Sequence, residues 1–490
     1  MKTRESFGEC LQRVLSEEGM SASEAARLVG FRSRNSIFRI LSGDTSSDVD
    51  GRFLSALHQA VGERWPARQW AALDTALYIK RVGVEQYLSD QAFRRAMHES
   101  AQAVEYSVES HWHGKPEVIT LRALLEELSR DATLDVIISG CCRGELTAVL
   151  AQALGDAGER GRVYIRHYID IREAVVVRNI LGVMPLVSKV WYNARLVEEG
   201  SCGPEMETLY RLNAICIRQR RDDGRSTWHE LLLFDAERFV HRFTSEDGGQ
   251  VVGLLDRQRF SLELLKPLAR AGNGVDAFVD YTNQYAMLER DGMILSIKPD
   301  VHFNCIPSDV LYPAIMDGFR QAGYASGEEL TALLERLQAI HDARYANMFT
   351  KHRPTHLVYS LPAMERFMRT GVLSDQFFLQ RAYTPDERRE IIRGLRQQAQ
   401  ENPYFSIHFL REEAEEIRNE LTYYEDKGVL LLDAYTGYDL HEDHSEALIT
   451  LPVFMESFYK FFMEELLPHL VMSRAESLAV LEKLYTDMKM

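Results

Sequence analysis

The sequence predicts a multidomain α/β protein: an all-helical N-terminal bundle, then a helical connector, then a large α/β body. Three observations carry this. Within the first sixty or so residues, short stretches of helical hydrophobic spacing are each closed by a glycine. Further on, LDVIISG, CCRGELTAVLAQAL and GRVYIRHYIDI read as strand, helix and strand, a βαβ unit. A chain of 490 residues also has room for two to four domains at roughly 100–200 residues each. The expected divisions are 1–62 (bundle), 63–112 (connector), 113–320 (α/β domain) and 321–490 (a second α/β regulatory or dimerisation domain).

Composition bounds the function. Hydrophobic residues make up 46% and charged residues 27%, the balance of folded rather than disordered protein. No run of about 18 apolar residues occurs, and the start MKTRESFGEC has no apolar signal core, so a cytoplasmic protein without membrane contact is expected. Cys10, Cys141, Cys142, Cys202, Cys216 and Cys305 form neither a disulfide framework nor a CxxC pair, so reduced, buried thiols are expected, with no metal and no cofactor. A formal charge of -16 argues against indiscriminate coating of nucleic acid. Between Ala25 and Gly43, however, Arg27, Arg32, Arg34 and Arg39 occur with no acidic residue.

The N-terminal segment resolves into short helices. Phe7, Leu11, Val14 and Leu15 recur at helical spacing from Ser6 to about Glu17, where Gly19 closes the helix. Ser21 with Glu24 forms a capping box for the second helix, SASEAARLV, which Gly30 ends. Ser33 then caps a third helix, Arg34 to about Leu41, with Ile37, Ile40 and Leu41 on its inner face. A further helix carries Phe53, Leu54, Leu57 and Val61.

The stretch SASEAARLVGFRSRNSIFRILSG resembles the helix-turn-helix of the Cro/C1-type (XRE) DNA-binding family. Ala26, Gly30, the Ile37/Ile40 seam, Arg39 and the closing Ser42-Gly43 carry the likeness, over about an eighth of the chain. Ala22 stands where the family often has glutamine, and the turn is one residue longer than its pattern. The resemblance implies a third helix lying in the major groove with its first turn against base edges. Arg34 and Asn35 would read guanine and adenine, while Arg32, Ser33 and Ser36 would meet phosphates. Arg39 would touch phosphate or brace the bundle. The plainer alternative is a packing module whose arginines are solvated.

Beyond the bundle, Trp65, Trp70, Leu73, Leu77 and Ile79 mark one helix, and Tyr87, Phe93 and Met97 the next. Pro116 to Arg130 reads as a helix, followed by the βαβ unit and a parallel sheet. Strands are expected at VWYNARLV, LYRLNAICIRQR and TWHELLLF, with RRDDGRS a turn. The loop SGCCRGE lies at the carboxyl end of the first strand, where a doubly wound sheet places a ligand. Gly140 and Gly144 would let amides approach an anion, and Cys141, Cys142 and Arg143 are the candidate ligand-binding residues. No P-loop or dinucleotide fingerprint is present, and a base for a cysteine nucleophile is not evident, so ordinary buried cysteines stay open as the alternative.

In the C-terminal half, NQYAMLERDGMILSI reads as a hairpin turning at Asp291-Gly292, and Thr384-Pro385-Asp386-Glu387 as a helix start. Strands are expected at HLVYS, YFSIHFL, VLLLDAY and EALIT. Phe454, Phe458, Phe461 and Phe462 form a stripe expected in the core, with a subunit contact as the alternative. HELLLFDAERFVHRF and ALITLPVFMESFYKFF, each after a strand and a glycine-bearing charged turn, raise a duplicated unit against chance likeness. His441-Glu442-Asp443-His444 and His111/His113/Lys115 lack the further residues that metal or phosphodiester chemistry needs.

The expectation is therefore a sequence-specific transcriptional regulator without catalytic residues, binding double-stranded DNA as a homodimer. Its body would sense an unidentified small-molecule or peptide effector. The alternative is a DNA-directed enzyme or phage-defence effector that uses the head for targeting.

Overall fold

The computed structural model describes residues 5–31, 34–99, 102–112, 115–171, 175–197, 213–221, 227–234, 239–244, 265–266, 275–299, 301, 303–321, 328–373, 381–411, 416–433 and 446–487. The chain divides into two units, Met1–Gln91 and Ala92–Met490.

The first unit is helical. Its helices are α1 (Phe7–Glu17), α2 (Ala22–Leu28), α3 (Arg34–Leu41), α4 (Ser47–Val61) and α5 (Ala67–Val82). Ser6 with Glu9 and Ser21 with Glu24 form complete capping boxes, which satisfy amides that the first turn leaves without partners. Phe7, Leu11, Val14, Ala25, Ala26, Ile37 and Ile40 close on Phe53, Leu57, Trp65, Trp70 and Leu73 in one core. Because Trp65 and Trp70 stack there at 4.9 Å, α5 belongs to this unit, which extends past the expected boundary at residue 62.

Helix α6 (Val84–His98) contributes its last two turns to the other unit's core. Phe93 meets Phe454, Phe458 and Phe461 at 5.2–5.4 Å between ring centres. Both helices expected as the connector of residues 63–112 thus contribute side chains to cores, α5 to that of the first unit and α6, from Ala92 on, to that of the second.

The α/β body contains two mixed sheets. The first has the order β2-β1-β8-β7-β6-β3-β4-β5, from β1 (Ser107–Trp112), β2 (Lys115–Thr120), β3 (Ala132–Ser139), β4 (Val163–Asp170), β5 (Tyr192–Val197), β6 (Ala214–Arg221), β7 (Thr227–Phe234) and β8 (Phe239–Thr244). The βαβ expectation holds for β3, α8 (Gly144–Glu159) and β4, which pair in parallel, as do β4 and β5. The rest departs from a parallel sheet, since β6, β7 and β8 run antiparallel. Residues 116–120 are also strand rather than helix: β2 is the edge strand, where Pro116 costs no ladder bond, and Thr120 then caps α7 (Leu121–Arg130).

The second sheet has the order β12-β11-β10-β13-β14-β15-β9. Its strands are β9 (Leu265–Lys266), β10 (Ile294–Lys298), β11 (Thr355–Tyr359), β12 (Phe405–Phe409), β13 (Asn419–Tyr424), β14 (Gly428–Asp433) and β15 (Glu446–Ile449). As β10 lies at its centre, a domain boundary at 320/321 would cut the sheet. The expected hairpin at Asp291-Gly292 is instead a turn from helix Val275–Leu288 into β10. Tyr285 and Leu288 explain this, because both pack on the core with helical spacing.

Strand order and direction recur between the sheets. Three parallel strands, β5-β4-β3 or β12-β11-β10, are followed by an antiparallel meander, β6-β7-β8 or β13-β14-β15. By this order β7 corresponds to β14, whereas the sequence echo set HELLLFDAERFVHRF beside ALITLPVFMESFYKFF and so β7 beside β15, one strand too far along.

Candidate functional site at the carboxyl ends of β3 and β4

Strand β3 buries Leu134, Val136 and Ile138 against α7 and α8, so its carboxyl end is held firmly. There the chain turns through two left-handed residues, Gly140 (φ 65) and Cys141 (φ 54), before entering α8. Glycine adopts that conformation freely, but an L-residue such as cysteine pays about 1–2 kcal/mol for it. Asn213, just before β6, holds the turn through its Oδ1, which accepts from Cys141 N at 2.9 Å. The Arg143 side chain makes no capping bond at the start of α8. Cys142, Arg143 and Gly144 are all part-exposed.

The sequence supplied no base near these cysteines, but the fold does. His167 stands in register with Ile138 on the neighbouring strand, which brings its ring to the turn. Its Nε2 lies 2.6 Å from Gly140 O and 3.6 Å from Cys142 Sγ. Tyr192 OH, on β5, lies 3.0 Å from Nδ1. A carbonyl oxygen only accepts, so Nε2 carries the proton and donates to Gly140 O, while Nδ1 accepts from Tyr192. The Cys142 thiol also points at Gly140 O, at 3.3 Å. Behind the loop, helix α9 (Val176–Gly182) approaches so closely that a Cβ on Gly182 would sit 2.2 Å from Cys142 O. Thr147 Oγ1 donates to Gly182 O at 2.6 Å and fixes that contact.

Burial decides the protonation states. It pushes the Cys142 thiol up to about 12, partly opposed by Arg178, and lowers His167 to about 4 against the Gly140 bond. Burial, then the neighbouring thiol, also raises Tyr192. Burial thus opposes passing the thiol proton to the imidazole at both ends, since it disfavours the thiolate and the imidazolium alike. The observed trio is therefore neutral. It is a hydrogen-bonded Tyr–His pair beside a protonated thiol, not a thiolate–imidazolium nucleophile.

The other predicted site residues lie in the helical unit and do not share this site. Asn35 and Arg39 are exposed on α3, and Ser36 is half-buried. Arg39 Nη2 donates to Asp44 O at 3.1 Å, so in this state it braces the loop after α3. Arg32, Ser33, the Arg34 side chain, the RDDG turn and the His441–His444 loop lie outside the described residues. The Phe454, Phe458, Phe461 and Phe462 stripe is fully buried, as expected for core.

No family model matches the chain, and no curated protein is similar to it. Among solved structures it is similar to phosphatidylserine synthase of Haemophilus influenzae Rd KW20, at 10% identity and a TM-score of 0.25, covering 75% of this chain and 90% of that one. It is also similar to polyphosphate kinase from Porphyromonas gingivalis, at 13% identity and a TM-score of 0.20, covering 76% and 54%. Both are enzymes. Neither neighbour's description names a DNA-binding regulator, and the expectation of a non-enzymatic transcriptional regulator is not carried further. At these scores the likeness carries no residue, reaction or substrate to this chain.

The neutral imidazole has a measurable consequence. An ordinary histidine takes up its proton near 6.5, whereas folded His167 does so near 4, so in between the unfolded chain binds a proton that the folded chain excludes. The contribution, about 3 kcal/mol, is complete above pH 6.5 and is lost as pH falls toward 4. Nitrogen NMR should show His167 neutral with its proton on Nε2 at pH 6. His167→Gln should lessen the pH dependence of unfolding between pH 6.5 and 4. A ring that is charged at pH 6 would contradict this account of the site.

Proposed function

We propose that the α/β body is an enzyme-type module that takes a small anionic, phosphate-bearing ligand at the carboxyl ends of β3 and β4. The observation that carries this reading is the left-handed Cys141 after left-handed Gly140, a strained non-glycine turn beside a buried Tyr–His–Cys cluster. Strain of this kind persists where surrounding structure enforces it, and Asn213 and Gly182 do so here. Gly144 and Glu145 amides at the start of α8, with Arg143 and Arg178, would hold the anion. Within the site, the neutral His167–Tyr192 pair holds the turn through its hydrogen bonds to Gly140 O and between the two rings. The recurring strand order supports a body made of two copies of one unit, with this site in the first.

The test is calorimetric titration of the full chain with inorganic phosphate. Saturable binding is expected, weakened at least tenfold in Arg143→Ala and unchanged in Arg411→Ala, a surface arginine far along the chain in β12's loop. No heat of binding, or equal binding by both variants, would reject the reading.

For the helical unit, the Cro/C1-type resemblance stands as part of the same proposal, with double-stranded DNA as partner and two chains acting together. The unit would then deliver an enzyme to duplex DNA rather than regulate transcription. The exposure of Asn35 and Arg39 on α3 favours it. Asn35→Ala in the full chain should lower affinity for a preferred duplex by roughly 1–3 kcal/mol, read by fluorescence anisotropy at fixed salt. Indifference of duplex binding to Asn35→Ala would remove the assignment.

A further inference from the structure

The first sheet has a second face. Leu134, Val136, Ile138, Val163, Ile165, Ile215 and Ile217 all point into the core beneath α7 and α8. Side chains alternate along a strand, and residues in register share a face. The opposite face therefore carries Asp135 on β3, Tyr164 and Arg166 on β4, Asn193 on β5, and Arg218 and Arg220 on β6. Asp135 is in register with both Tyr164 and Arg218, and Arg166 with Asn193.

These residues form a cationic, partly open platform. Arg166 Nη2 donates to Asp135 Oδ1 at 2.8 Å, and Arg218 bonds the other carboxylate oxygen, so this carboxylate is shared by two guanidinium groups. Arg218 Nε is buried with no hydrogen-bond partner, a donor that an incoming oxygen would satisfy. Arg220 and Asn193 are exposed at its margin. Tyr164, on the strand next to the sheet's β5 edge, is 56% exposed. Among the described residues of this face, Arg166, Arg195, Arg218 and Arg220 stand against Asp135 and Asp170, which makes it a positive surface in a chain of charge -16.

We propose that this face binds single-stranded nucleic acid. Charge complementarity selects a polyanion, and the exposed ring selects among polyanions. Tyr164 offers a flat surface for a base to stack on, Asn193 an amide for base edges, and the arginines contacts to the backbone phosphates. A duplex keeps its bases stacked inside and gives Tyr164 nothing to hold. An acidic peptide would use the charge and leave the ring idle. The inference is independent of the ligand proposed at β3 and α8, because it involves the opposite face and other residues.

The test uses the full chain and fluorescein-labelled 16-nucleotide oligo-U and oligo-dT in anisotropy titrations at 50 and 200 mM NaCl. Both single strands are expected to bind, about 20-fold more weakly at the higher salt if three phosphates are neutralised. Arg220→Glu should weaken binding at least tenfold and lower the salt slope by about one phosphate's worth. Tyr164→Ala should weaken it about tenfold with the slope unchanged. Both positions are exposed, so circular dichroism should match wild type. Preference for oligo-U would assign the ligand as RNA, and equal binding would assign the shared phosphate and base chemistry; either supports the proposal. No binding, binding that both variants leave intact, or equal competition by polyglutamate or a 16-base-pair duplex would overturn it.

Discussion

The α/β body depends on a layer of phenylalanine between its two sheets. Phe93, Phe454, Phe458, Phe461 and Phe462 are fully buried and pack with Val176, Val177 and Ile180 of α9. The same core takes Ile169 and Leu196 from the first sheet and Leu295, Ile297, Val358 and Leu421 from the second. Burying one such ring contributes roughly 1.5–3 kcal/mol. Five rings together reach the order of the 5–15 kcal/mol by which a whole domain is stable. The sheets are thus parts of one core rather than independent domains.

This layer also explains where the strained turn sits. Helix α9 belongs to the shared core through one side and presses Gly182 against Cys142 O with its end. The loop after β3 is fixed from three directions, by β3 itself, by Asn213 before β6 and by α9. A left-handed cysteine is affordable in such a place because moving it would disturb packing worth more than the strain. The same enclosure buries His167 fully, and burial holds both it and the Cys142 thiol neutral.

Much of this was legible locally. Capping residues such as Ser21 with Glu24 and Thr384 with Glu387 start helices where the sequence says, because a cap is settled within four residues. Strands made of branched residues, such as VIIS in β3, were equally plain. Strand β13 was not. Its Glu420 and Thr422 look like surface residues, yet they are buried and matched across the sheet by Lys298 and Ser296, partners more than a hundred positions away. His167 is not legible in the sequence for the same reason, since only parallel pairing of β3 and β4 brings it to the cysteines. The Asp291-Gly292 turn was visible, but a turn signal does not say what enters it; Tyr285 and Leu288 do so by packing on a core that the sequence alone does not reveal.

The most direct measurement of the shared core is native-state hydrogen exchange of the α/β body, following amides of β3 and β4 alongside those of β10 and β11. In Phe458→Ala, both sets should lose protection together, by a common amount of about 3–5 kcal/mol. Loss confined to β10 and β11, with β3 and β4 as protected as in wild type, would contradict a single core and return the sheets to separate domains.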